Sequence, residues 1–122
     1  MSNENLKQRT KLFALRIIKL VENLPDNKTS KILGNQILRS GTSVASNYRA
    51  VCLAKSKRDF INKLKIVEEE SDETIFWLEL LEESGIFTSK KIQSIKSEAR
   101  EIFAIIVASI KTTRKNQKQP NQ

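Results

Sequence analysis

Apolar side chains recur at steps of three and four residues through four successive stretches of this chain. That spacing matches the 3.6-residue turn of a helix and conflicts with the alternation of a strand. The 122 residues include three glycines and two prolines, and both prolines, Pro25 and Pro120, lie outside the periodic runs. So few breakers favour long helices over a loop-rich β-fold. A chain of this length forms one domain around a single core. The expected fold is all-α, an up-and-down antiparallel four-helix bundle, since four helices with short connections meet that signature. The expected division is a bundle over residues 1–112 and a disordered basic tail over 113–122.

In the first stretch, about residues 5–23, Phe13, Ile17, Leu20, Val21 and Leu24 make one face. Leu12, Leu15 and Ile18 widen it beyond the stripe of an ordinary surface helix, which leaves apolar surface for a second contact. Pro25 ends this stretch because it lacks an N–H and restrains the residue before it. Thr29 or Ser30 is the expected cap of the second, which runs to about residue 55. Ser56, with Asp59 three residues on, resembles a capping box opening the third, which ends before Gly85. Its face is Phe60, Leu64, Val67, Ser71, Thr74, Leu78 and Leu81. Thr88 or Ser89 opens the last, with Ile92, Ile95, Ala99, Ile102, Phe103, Ile106 and Ile110 on one side. Phe87 and Phe103 read as core. From Lys111 no apolar residue follows, so this end is expected to fray.

The second stretch departs from plain amphipathic patterning. Its seam is Leu33, Ile37, Ser40, Val44, Asn47 and Val51, and within the block RSGTSVASNYR (residues 39–49) small residues cluster around Gly41. Glycine inside a helix costs up to about 1 kcal/mol relative to alanine. Such a cluster fits close approach of another backbone, from this chain or from a neighbouring subunit; a local break near Gly41 is the alternative. Ser40, Ser43 and Asn47 read as a buried, hydrogen-bonded set that fixes register, with a ligand-contacting role as the competing reading. Tyr48 and Trp77 are expected to pack with a polar tip that is exposed or hydrogen-bonded, and both suit the centre of an interface.

Charge is segregated along the chain. Residues 1–58 carry 12 Lys/Arg against 3 Asp/Glu, residues 59–83 carry 2 against 9, and residues 84–122 carry 8 against 2. The net charge is +8. The third helix is thus the acidic element of a basic protein. Its carboxylates can meet Arg39, Arg49 or Arg100 across the bundle, or they can give the subunit an acidic surface opposite a basic one and so favour ordered self-association. A basic balance also suits phosphate-bearing partners.

Chemistry is sparse. With no histidine and one cysteine, Cys52, neither a Cys/His zinc site nor a serine–histidine nucleophile can be assembled. No phosphate-binding glycine loop is present. Carboxylates cluster at Glu68, Glu69, Glu70, Asp72 and Glu73, yet they read as a solvated face rather than a metal site. The expectation is no cofactor, no metal and no enzymatic activity. No apolar run approaches the roughly 18–20 residues needed to span a bilayer. The start, MSNENLKQRT, has no apolar signal core, and the lone cysteine fits a reducing cytoplasm, so a cytoplasmic protein without a membrane partner is expected.

The block Arg39 to Val44, then Asn47, Tyr48 and Arg49, Ser56, Asp59 with Phe60, Lys63 with Leu64, Glu73 with Thr74, and WLELL at residues 77–81 carry a resemblance. Together they resemble the four-helix bundle family of bacterial 23S ribosomal RNA intervening-sequence proteins, over essentially residues 6–112. Leu24 and Pro25, Gln36, and Ala108, Ser109 and Ile110 extend the match. The chain departs from the family pattern at Ala45, often glycine, and at Ala50, often glutamate, which weakens any argument for an acidic partner beside Arg49. The resemblance implies a cytoplasmic, ring-like homopentamer, similar in fold to the accessory protein of diversity-generating retroelements, which binds nucleic acid and a reverse transcriptase. It carries over no catalytic residue.

Two functions follow as expectations. The first is a non-enzymatic binder of nucleic acid, RNA in preference, with Lys7, Arg9, Lys11, Arg16, Lys19, Arg114, Lys115 and Lys118 facing phosphate. The second is a scaffold for a protein partner. Arg39, Ser40, Gly41, Ser43, Asn47, Tyr48, Arg49, Glu73 and Trp77 are the residues expected to set packing or an interface.

Overall fold

The structure is a computed structural model that describes residues 3–117. Four helices follow in order: α1 (Asn3–Glu22), α2 (Lys28–Val51), α3 (Lys57–Glu83) and α4 (Lys90–Gln117). They form an up-and-down antiparallel bundle, as the periodicity predicts, and no strand occurs among the described residues. Each helix packs against its sequence neighbour, and α1 closes the ring against α4 more loosely.

Local chemistry sets the boundaries. Asn27, in an extended conformation, caps α2 by accepting a hydrogen bond from the Ser30 amide at 2.8 Å, so the cap is neither Thr29 nor Ser30. Ser56 caps α3 as expected, accepting from the Asp59 amide at 3.0 Å. Asp59 reaches back to accept from the Lys55 amide at 3.1 Å, one residue beyond the usual capping-box partner. Gly85, with φ +78°, takes the left-handed turn that stops α3. Ser89 stands just before α4, but its buried hydroxyl makes no hydrogen bond, so the expected capping interaction is missing there. The second helix ends at Val51, earlier than the expected residue 55. Tight bonds from the Leu53 and Ala54 amides to the Ala50 and Val51 carbonyls close its last turn. The last helix runs on to Gln117, past the expected boundary at 112.

The core is built from Phe13 and Ile17 of α1, Ile37, Val44 and Val51 of α2, Leu64, Val67, Leu78 and Leu81 of α3, and Ile92, Ile102 and Ile106 of α4. Burying each such side chain contributes roughly 1.5–3 kcal/mol. Phe87 packs at the edge of this core, whereas Phe103 is half-buried and lies outside it, contrary to its reading as core.

The small-residue block is unbroken helix. Gly41 lies directly against α1, where an added Cβ would stand 2.8 Å from Ile17 Cγ1 and 2.9 Å from its Cγ2. The close neighbour is therefore a helix of the same chain. The seam's polar groups bond within α2 instead of across it: Ser40 Oγ donates to the Gln36 carbonyl at 2.9 Å, and Asn47 Nδ2 to the Ser43 carbonyl at 2.8 Å. Ser40 and Asn47 are hydrogen-bonded as expected, but only Ser40 is buried, Ser43 and Asn47 being half-buried. Their value is small size, with the Ser40 and Asn47 donors satisfied one turn back.

Candidate nucleic-acid interface

Antiparallel topology brings the start of α1, the end of α2, the start of α3 and the end of α4 to one end of the bundle. Leu6, Tyr48, Phe60, Leu64, Ile105 and Thr113 meet there around a recess of about 340 Å³, which shows that all four helices converge at this level. Their sequence neighbours are cationic. Arg49, Lys55, Lys57, Arg58, Lys111, Arg114 and Lys115 are all exposed, and Lys7 is half-exposed. The acidic residues near them are Glu4, 3.8 Å from Lys7, and Asp59, 2.8 Å from Lys63. Lys63 and the Lys55 amide hold the Asp59 carboxyl below its usual range. Tyr48 itself is buried, and loss of solvent pushes its phenol up to about 12.

This end gathers part of the set expected to face phosphate and disperses the rest. Lys7, Arg114 and Lys115 belong to it. Arg9 does not point at solvent: its guanidinium donates to both Glu98 oxygens, at 2.7 and 2.8 Å, and lies 3.4 Å from Glu101. Those bonds raise its pKa further and tie α1 to α4. Lys11 is exposed on α1, while Arg16 donates to Ser94 Oγ at 2.7 Å and Lys19 sits 4.0 Å from Glu22, toward the opposite end. Lys118 lies outside the described residues. Four cations that the linear reading did not assign to phosphate, Lys55, Lys57, Arg58 and Lys111, complete the basic end, together with Arg49. Only the topology brings Lys111 beside the others, because residues 49–58 and 111 lie in two distant parts of the sequence.

The residues expected to set packing separate into two groups. Arg39 joins α2 to α3, with Nη2 2.5 Å from Glu73 and Nη1 3.4 Å from Glu70, while Gln36 accepts from it as well. Its hydrogen bond is the main cause holding the Glu73 carboxyl below its usual range, whereas burial pushes Glu70 up. Arg100 likewise reaches Glu79 at 3.2 Å, and Lys96 bonds Glu82. Arg49 makes no ion pair among the described residues, in keeping with Ala50 beside it. Trp77 packs edge-on against Phe76, with ring centroids 5.1 Å apart. Its Nε1 is buried and completes no well-formed hydrogen bond, although Glu73 one turn earlier is near enough for the indole to help hold that carboxylate down. The polar tip is thus neither exposed nor satisfied as expected.

The 23S rRNA-intervening sequence protein family matches residues 3–108. The chain belongs to this family. A crystal structure of a protein of unknown function from the S23 ribosomal protein family of Bacteroides thetaiotaomicron VPI-5482 superposes with a TM-score of 0.81 at 39% identity. The alignment covers 87% of this chain and 98% of that one. No curated protein matches the chain. Family and fold make this a small non-catalytic four-helix protein. Among the described residues no group of three or more acidic or cysteine side chains could hold a metal ion, and no helix is long and apolar enough to cross a membrane.

Proposed function

We propose that this protein is an oligomeric, non-enzymatic bundle of the cytoplasm that binds nucleic acid, RNA in preference, by phosphate contacts from the basic end. The observation that carries the reading is the convergence of exposed cations from α2, α3 and α4 on one end, with few carboxylates to neutralise them. Such a surface contacts backbone charge and shape rather than base edges, and no aromatic platform for stacking stands exposed among these cations. A ring of five subunits is the assembly that the family resemblance suggests.

Fluorescence-anisotropy titration of the nuclease-treated protein with structured ribosomal-type RNA and matched duplex DNA tests the reading. Binding should weaken by roughly a thousandfold or more between about 50 and 200 mM salt if six or more phosphates are neutralised. The pair Arg58→Glu and Arg114→Glu should weaken binding to every sequence alike. Absence of binding at either salt sinks the nucleic-acid reading. The scaffold alternative then gains, supported by Phe76 and Leu80, which are exposed beside Trp77 on α3.

A further inference from the structure

The loose side of the bundle is a second surface with its own chemistry. Between α1 and α4 lies a groove of about 910 Å³ whose walls include Leu12, Leu15, Leu20, Phe87 and Ile95. Leu12 and Leu15 remain 59% and 51% exposed, so the bundle's own core leaves them uncovered. Arg16, Lys19 and Lys91 stand along the same groove. Arg16 is hydrogen-bonded to a neutral hydroxyl, Lys91 makes no ion pair among the described residues, and Lys19 has only an exposed contact with Glu22 at 4.0 Å, so an apolar trough carries a rim of net positive charge.

The outward side of α3 has the opposite character. Ile66, Glu69, Asp72, Phe76, Leu80 and Glu83 recur at three and four residue steps and are all exposed, so they form one solvent-facing stripe. Phe76 is 49% exposed. The carboxylates that α3 pairs within the chain, Glu70, Glu73, Glu79 and Glu82, lie on its flanks, whereas Glu69, Asp72 and Glu83 make no ion pair among the described residues. An acidic stripe with large apolar residues is the shape and charge complement of a basic apolar groove. The two cannot meet in one molecule, because α1 and α3 do not adjoin and the stripe faces away from the bundle.

We propose that the α1–α4 groove receives the outer stripe of α3 from a second copy of this chain. The inference rests on the oligomeric part of the proposed function and names the faces that make the assembly. Groove against groove and stripe against stripe would each oppose like charges, so the contact is head-to-tail. A head-to-tail contact leaves one free groove and one free stripe at every step, and growth ends only by closing a ring.

Two variants test it, each at an exposed residue so that the bundle still folds, which circular dichroism verifies. Leu15→Asp puts a carboxylate in the groove, and Phe76→Asp adds one to the stripe. Sedimentation velocity should show wild-type assemblies larger than a dimer and should show each variant alone as a monomer, its self-association weakened at least about tenfold. Mixed one to one, the variants should form a pair and nothing larger, since the mixture holds one intact groove and one intact stripe per pair. Wild-type-like assembly of either variant, or a mixture that stays monomeric, overturns the proposal while leaving oligomerisation in place. A wild-type chain that is monomeric at about 100 μM overturns both. RNA titration of the monomeric variants separates these outcomes from the basic-end reading, because neither substitution lies at that end.

Discussion

Against α2, the first helix packs so closely that a methyl group on Gly41 would stand 2.8 Å from Ile17, whereas against α4 the same helix leaves a groove of about 910 Å³ bordered by Leu12, Leu15 and Leu20. The tight side uses residues with almost no side chain, and its helix backbones approach until van der Waals contact limits them. The looser side is bridged by long polar arms, Arg9 to Glu98 and Glu101 and Arg16 to Ser94. One helix therefore has an internal face whose geometry is fixed and an external edge that stays open to a partner. The distinction makes quantitative demands on substitutions along α1 and its two neighbours.

The largest effect is expected at the tight side. Gly41→Val should destabilise the protein by about 1–3 kcal/mol, because the contact atoms Cγ1, Cγ2 and Cβ of Ile17 belong to a buried, β-branched side chain that yields little. Chemical denaturation with an unchanged m-value reads this directly. In an Ile17→Ala background, which removes both Cγ atoms, the same change should cost less, and a strictly additive double-mutant cycle would show that the two residues do not share the constraint.

Next is the polar clasp. Arg9→Gln should cost roughly 0.5–1 kcal/mol, since the pair is only partly buried (27% and 19% exposed side chains) and water screens it. High salt should narrow the difference from wild type, and a loss as large as that at Gly41 would mean that the α1–α4 side is not loose. Gly34→Ala supplies the control on the α2 side. Its added Cβ would meet Leu24 Cδ1 at 3.1 Å, the far end of a half-buried side chain that can turn away. The alanine gain in helix propensity, up to about 1 kcal/mol, then offsets the crowding, and thermal melts should show little net change.

These contrasts also mark what was legible in the sequence. The four helices were, because 3.6-residue periodicity and the placement of Pro25, Ser56 and Gly85 are local signals. That something approaches Gly41 was legible too, but Ile17 as the neighbour was not, since a glycine reports the space and not its occupant. Asn27 lost to Thr29 and Ser30 in the linear reading because three capping residues stand within four positions. The end of α4 was placed too early because Thr113, half-buried beside the recess with Leu6 and Phe60, is packed without being apolar. Charge was the least legible property. Arg9 and Arg49 look alike in the sequence, yet one is bound to two glutamates of a distant helix and the other is exposed at the basic end. Only the order of helices around the bundle separates them.

A small effect on the monomer is the one that sharpens the comparison most. Leu15→Ser removes an apolar side chain that is already half exposed, so at low protein concentration its stability should fall within about 0.5 kcal/mol of wild type. An ordinary core leucine shortened in this way would lose several times more. At high concentration the two proteins should diverge. A contact made only by folded copies stabilises the folded state by mass action, so the wild-type Tm should climb with concentration while that of Leu15→Ser stays flatter. A large loss at every concentration would instead mean that Leu15 supports the monomer, and α1 would then have two tight sides. Parallel curves with no concentration dependence would leave the groove open and unused. The same substitution thus measures what α1 contributes to its own bundle and, separately, what it offers to the next one.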